Sequence, residues 1–172
     1  AGYTAATKVD QVSVLINGAM GIAVSNFVAQ NYGAGLYDRI RQGVRASLIQ
    51  TQTLNVLMCA MILLCRNLVV PLFVDAPTPE IIGYSNGYLL VVAPFYLVLG
   101  FLQIYRSSIQ SMGNGKAPFA ACIIELIMRI TGTFGLSMVL GYAGICFATP
   151  LAWIGAVALL VPTYYRMMRQ MG

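Results

Sequence analysis

Histidine is absent from this sequence, and acidic residues number only five. The first absence removes the commonest general base and the commonest metal ligand. The four cysteines (Cys59, Cys65, Cys122, Cys146) show no Cys-x-x-Cys spacing. Most lie in apolar runs, where cysteine behaves as a small hydrophobe, so neither a disulfide nor a metal site is expected. Charge of either sign is scarce: 9% of residues are charged against 59% hydrophobic, and mean hydropathy is +0.77. Soluble domains are about one-quarter charged, and so few charges cannot cover a soluble globule of 172 residues. Nor does any opening stretch have the basic-then-apolar form of a signal peptide with its small-residue cleavage site. The chain starts at Ala1, which fits a piece of a longer protein. The net charge of +5 is spread over several loops and flanks, so it reads as topology information beside anionic lipid and not as a nucleic-acid surface.

What is present are five apolar stretches, over about 7–30, 44–65, 82–109, 118–140 and 143–165. Each is long enough to cross a hydrocarbon core of about 30 Å as a helix. The fold class expected is therefore all-α: a polytopic membrane bundle of five transmembrane helices. Between the first two stretches, Arg39, Arg41 and Arg45 stand against one acid, Asp38. A short basic loop of this kind is placed on the cytoplasmic face by the positive-inside rule. The connector around Arg106 and Lys116 and the tail with Arg166 and Arg169 are also basic. Asp75 and Glu80, in a proline-rich connector, make the loop between stretches two and three slightly acidic. All four agree on an outer N-terminus and a cytoplasmic C-terminus, in the cell membrane.

Local signals refine this layout. Gly33 and Gly35 suit a turn leaving a helix end, and 36–42 has the pattern of a short interfacial helix. Asn114-Gly115 marks a turn, with Pro118 in the first turn of the next helix. Pro94 sits near the middle of the third stretch, where a missing N–H and a ring clash predict a kink or a break. Tyr164 and Tyr165 fall where an interfacial tyrosine belt is expected.

Polar groups inside the stretches are the candidates for function. Gln11 and Asn17 are those of the first, with Asn17 two turns after Asp10 and on the same face. Gly18 and Gly21 beside them offer close approach to another helix. Gln50 to Asn55 make half of the second stretch polar, which must face protein or water. Tyr88, Pro94 and Gln103 give the third stretch polar handles, and kinked spans are common places for a transporter to bind a solute or ion. These residues fit either a bundle glued by hydrogen bonds or the wall of an aqueous cavity. Glu125 and Arg129, spaced i to i+4, are the most charged point in the core. An ionised arginine near mid-bilayer costs about 2.5–3.5 kcal/mol, part of which pairing offsets. Glu125 is then either a proton-titrating site or half of an ion pair that fixes packing, the second being preferred.

Val28-Ala-Gln-Asn-Tyr-Gly-Ala-Gly35 with Arg39 and Arg41, the run Arg106 to Lys116, Glu125-x-x-x-Arg129, Gly141-Tyr-Ala-Gly-Ile-Cys146 and Pro150-Leu-Ala-Trp153 together resemble the multidrug and toxic compound extrusion (MATE) family of cation-coupled antiporters. The resemblance covers almost the whole chain and rests on the order and spacing of these segments. It implies twelve helices in two lobes around a central cavity, with residues 1–172 matching helices eight to twelve, most of the C-terminal lobe. The remaining, N-terminal lobe is then the chief partner of this chain, alongside membrane lipid. It also implies export of drugs or organic cations in exchange for H⁺ or Na⁺ by alternating access, with no other cofactor. One branch of the family carries an acidic residue in the helix matching 82–109, and this sequence has none there. A lipid-linked precursor flippase of the same superfamily is the alternative, though such proteins line their cavity with several cations. A non-transporting scaffold leaves the polar inner faces unexplained. An enzyme is not expected, since no nucleophile, base or metal-ligand set lies at one depth.

Overall fold

Hydropathy alone dictates helices here, because backbone in a bilayer must satisfy its hydrogen bonds within the segment. The computed structural model describes residues 2–72 and 79–171, and every regular element among them is helical. The elements are α1 (Gly2–Gly33), α2 (Tyr37–Leu72), α3 (Pro79–Val92), a 3-10 turn (Ala93–Phe95), α4 (Tyr96–Ser111), α5 (Lys116–Leu140) and α6 (Tyr142–Met171). Among the described residues, five segments are long and apolar enough to cross a membrane: 10–33, 37–64, 82–111, 116–138 and 143–171. The third is α3 and α4 together. The break expected at Pro94 is the 3-10 turn that joins them.

The α1–α2 turn is tighter than the sequence pattern anticipates. Gly35 adopts φ +72°, the left-handed conformation that glycine supplies without strain. Leu36 N–H donates to the Asn31 carbonyl at 2.9 Å, closing α1 with a six-to-one bond. Helix α2 then starts at Tyr37 and runs unbroken, so no separate interfacial helix spans 36–42. The reason is local. Nothing between Leu36 and Val44 breaks a helix except one tolerated glycine, and Asp38 in the first turn complements the helix dipole. The three arginines are helix residues, not loop residues.

At the α4–α5 turn the left-handed residue is Gly113 (φ +83°). Asn114 Oδ1, one residue ahead of the Gly115 N-cap, accepts the Ala117 N–H at 3.2 Å and so satisfies a free donor in the first turn of α5. A single residue, Gly141 (φ +58°), separates α5 from α6. Helix α6 continues through Pro150 and Pro162. Of the connector around Asp75 and Pro77, residues 73–78 lie outside the described residues, while Pro79 and Glu80 open α3.

Burial is inverted relative to a soluble protein. Asn17, Ser13, Ser85 and Ser108 are fully buried, whereas Leu15, Leu64, Phe134 and Met138 are among the most exposed side chains. Polar groups inside and large apolar groups outside are what a lipid solvent selects. The apolar core is centred on α3 and α4, with Leu89, Val92, Tyr96 and Ile104 sealed between α1, α2 and α6.

A polar cleft between α1, α4, α5 and α6

Helices α1, α3, α4, α5 and α6 enclose an open cleft of about 380 Å³. Its lining includes Asp10 and Gln11 from α1, Tyr88 from α3, Gln103 and Arg106 from α4, and Glu125 and Arg129 from α5. Thr149 and Trp153 of α6 close it. Two carboxylates, two guanidiniums and several hydrogen-bonding neutral groups thus meet within membrane-crossing segments.

The ion pair in this cleft is not the one that helical spacing favours. Glu125 accepts a charge-assisted hydrogen bond from Arg106 of α4, while Arg129 is exposed and lines the opening. An i to i+4 pair on one helix gains only a few tenths of a kcal/mol, whereas an interhelical partner also lets two desolvated charges cancel. Arg106 is accordingly a residue of the span and does not belong to the connector that follows. Asp10 is 8% exposed and faces the hydroxyls of Tyr88 and Tyr96.

Of the residues singled out from sequence, Gln11, Tyr88 and Gln103 line the cleft together with Glu125 and Arg129. Asn17 does not. It is 0% exposed and exchanges two hydrogen bonds with Asn55 of α2, at 2.9 and 3.0 Å, while its amide also donates to the Ser13 carbonyl at 2.8 Å. Two of its three hydrogen bonds hold α1 against α2, and the third stays within α1. Pro94 is exposed at the 3-10 turn and also lies off the cleft. Tyr164 is 4% exposed and packs edge-on against Tyr105 of α4, with ring centroids 5.1 Å apart. Its ring is largely packed against α4, while Tyr165 beside it is more than half exposed. Gly21 does admit a neighbour, because a Cβ there would come within 2.8 Å of Ser107 Oγ; Gly18 faces open space.

Sequence reasoning left Asp10, Arg106, Thr149 and Trp153 out of the site. For Asp10 a signal was present in the face it shares with Asn17. For Arg106 the signal was its place inside the apolar run, five residues before α4 ends.

Against known proteins, the MatE family profile matches residues 1–134. The chain belongs to the MatE family. That match covers α1 to α4 and most of α5. Among curated relatives, an "FAD transporter" of Shewanella oneidensis is 24% identical over 153 residues, covering 88% of this chain and 33% of its own length. The "Probable multidrug resistance protein YoeA" of Bacillus subtilis is 25% identical over 108 residues, covering 63% of this chain and 23% of its own. The chain therefore spans a third or less of the length of these relatives. A solved structure described as an outward-facing multidrug resistance MATE family transporter of the MOP superfamily superimposes with TM-score 0.90 at 16% identity. It covers 99% of this chain and 38% of its own, and at that identity it establishes the fold alone. With five membrane-length helices, this MatE chain is a multi-pass membrane protein, and the family places it in the plasma membrane.

Proposed function

We propose that this chain forms part of a secondary transporter that exports drugs or organic cations in exchange for H⁺ or Na⁺, with residues 1–172 contributing to its C-terminal lobe and the polar cleft forming one wall of its cavity. The observation that carries this reading is the placement of Asp10, Gln11, Tyr88, Gln103 and Trp153 around one opening within membrane-crossing helices. A carboxylate in a cleft also lined by Tyr88 and Trp153 suits an organic cation, which gains charge pairing beside aromatic side chains. Glu125 is held by Arg106, while Asp10 has no ion-pair partner among the described residues, which favours Asp10 over Glu125 as the group exchanging the coupling cation. The basic ends of the helices support a cytoplasmic C-terminus.

A second reading is export of an anionic aromatic solute. Arg129 lining the opening favours it, as does a relative named for FAD transport. The full-length protein, expressed in cells stripped of their own pumps, separates the two by efflux of a fluorescent organic cation against release of flavin nucleotide. Gln11→Ala, Tyr88→Ala and Gln103→Ala are expected to change the substrate range at normal protein levels. Unchanged efflux in all three would remove the cleft from the transport path.

A further inference from the structure

The end of the bundle where α2 starts and α4 and α6 finish carries a second feature, apart from the polar cleft. A recess of about 300 Å³ opens there. Arg41 and Arg45 stand on its α2 wall, and Tyr105, Tyr164 and Tyr165 on the other. Arg41 is partly committed: it donates to Asp38 at 2.8 Å and to the Met168 carbonyl at 2.8 Å. Arg45 is exposed and forms no ion pair among the described residues. The Tyr105 and Tyr165 hydroxyls lie 3.5 Å apart.

Arg45 and Leu48 also border a larger trough of about 560 Å³ that continues along α2. Its walls are mostly apolar, Ile49, Val56 and Leu57 of α2 with Phe101 of α4, interrupted by Gln52 and Thr53. Ile49, Val56 and Leu57 are each more than half exposed. From Arg45 to Leu57 the helix rises about 18 Å, close to half of a hydrocarbon core of about 30 Å. A cationic, phenol-lined recess at the end of the bundle thus leads into an apolar trough of one leaflet's depth.

We propose that these two features form one binding site for an anionic phospholipid, its headgroup phosphate held by Arg45 and Arg41 and one acyl chain lying along Ile49 to Leu57. The guanidinium fork matches phosphate oxygens in geometry and charge. Tyrosine presents an apolar body and a polar tip, as a group at the headgroup boundary must. A soluble phosphate would use the same arginines but would gain nothing from the trough, and the continuity of recess and trough is what selects a lipid.

The test uses the full-length protein in mild detergent, supplied with phosphatidylglycerol, phosphatidylcholine or inorganic phosphate, with lipid retention read by native mass spectrometry and protection by thermal unfolding. Phosphatidylglycerol is expected to be retained in preference to phosphatidylcholine. Arg45→Gln should weaken that retention roughly tenfold, the scale of a lost charge-assisted hydrogen bond, and Arg45→Lys should recover part of it. Val56→Trp, which fills the trough and leaves both arginines in place, should also lower retention. Inorganic phosphate should give no comparable protection. Equal retention of the two lipids overturns the proposal, as it would if another part of the full-length protein covered the trough. So does phosphatidylglycerol retention that survives both Arg45→Gln and Val56→Trp. Protection by inorganic phosphate equal to that by the lipid would reassign the recess to a soluble phosphate and overturn the lipid site.

Discussion

Helices α1, α2 and α4 on one side, and the α5–α6 hairpin on the other, all belong to membrane-length spans, yet different chemistry holds each group. The first side is joined by polar groups: Asn17 to Asn55, Gln52 Nε2 to the Leu97 carbonyl at 2.9 Å, and Ser25 Oγ to Ser111 Oγ at 2.7 Å. Gly100 of α4 admits them, since a Cβ there would crowd Asn55, Gln52 and Thr51. The hairpin is joined by small residues: Gly132 faces Ala148, Gly144 lies on the Leu136 carbonyl, and Gly155 receives Met128. Lipid tails are as apolar as leucine, so helices in a bilayer gain little from burying leucine against leucine. Each interface needs either hydrogen bonds or close backbone approach: the first side combines the two, with Gly21 against Ser107 and Gly43 against Phe27, and the hairpin relies on close approach. The candidate cleft lies where the two sides meet, and Arg106–Glu125 ties α4 to α5 there.

Breaking that tie tests the contrast most strongly. Arg106→Ala should leave Glu125 as an uncompensated, largely buried charge, a loss of about 3–5 kcal/mol for pairs of this kind. The matched replacement Arg106→Met with Glu125→Leu should restore much of the lost stability. Arg129→Ala, on an exposed side chain, should change the melting temperature far less. Thermal unfolding of the full-length protein in detergent reads all three. If Arg129→Ala proves as damaging as Arg106→Ala, the pair lies within α5 after all and α4 is joined to α5 by packing alone.

Next in size is the hairpin. A Cβ at Gly144 would overlap the Leu136 carbonyl, which is backbone and cannot rotate away. Gly144→Ala must therefore part the start of α6 from α5, at about 1–3 kcal/mol for an overpacked contact. Gly18→Ala, in open space on the polar side, should cost nothing and gain a fraction of the ~1 kcal/mol by which alanine exceeds glycine in a helix. Equal melting temperatures for the two variants would show that close packing does not hold the hairpin.

The apolar stretches, the break at Pro94 and the glycine turn after α1 were legible because each has a local cause: hydropathy, a missing N–H, a positive φ. The start of α2 was not, because arginine is a good helix former yet reads as loop on any hydropathy scale. Arg106 was hidden by the same habit, its charge counted toward a connector when its backbone belongs to α4. The partner of Glu125 lies 19 residues away on another helix, and spacing on one helix cannot report that approach. Gln11, Tyr88 and Gln103 were recognisable as polar groups within apolar stretches, but so was Asn17. Whether an amide faces a cleft or another amide depends on which helix stands opposite, and that is tertiary information.

Asn17 and Asn55 give the smallest and most discriminating expected effect. Interhelical hydrogen bonds in membrane proteins average only about 0.6 kcal/mol, with a maximum near 1.7, because the unfolded chain in lipid also finds partners. The two amides are fully sealed and bonded in both directions, so their coupling should lie toward the upper end of that range. A double-mutant cycle with Asn17→Ala and Asn55→Ala isolates it. Coupling near the maximum, with efflux per folded molecule unchanged, would fit an amide pair acting only as glue on the polar side. Coupling near zero with altered substrate range would instead mean that Asn17 turns toward solute in another state of the transporter, and the polar side would then be the moving part and the small-residue hairpin the fixed one.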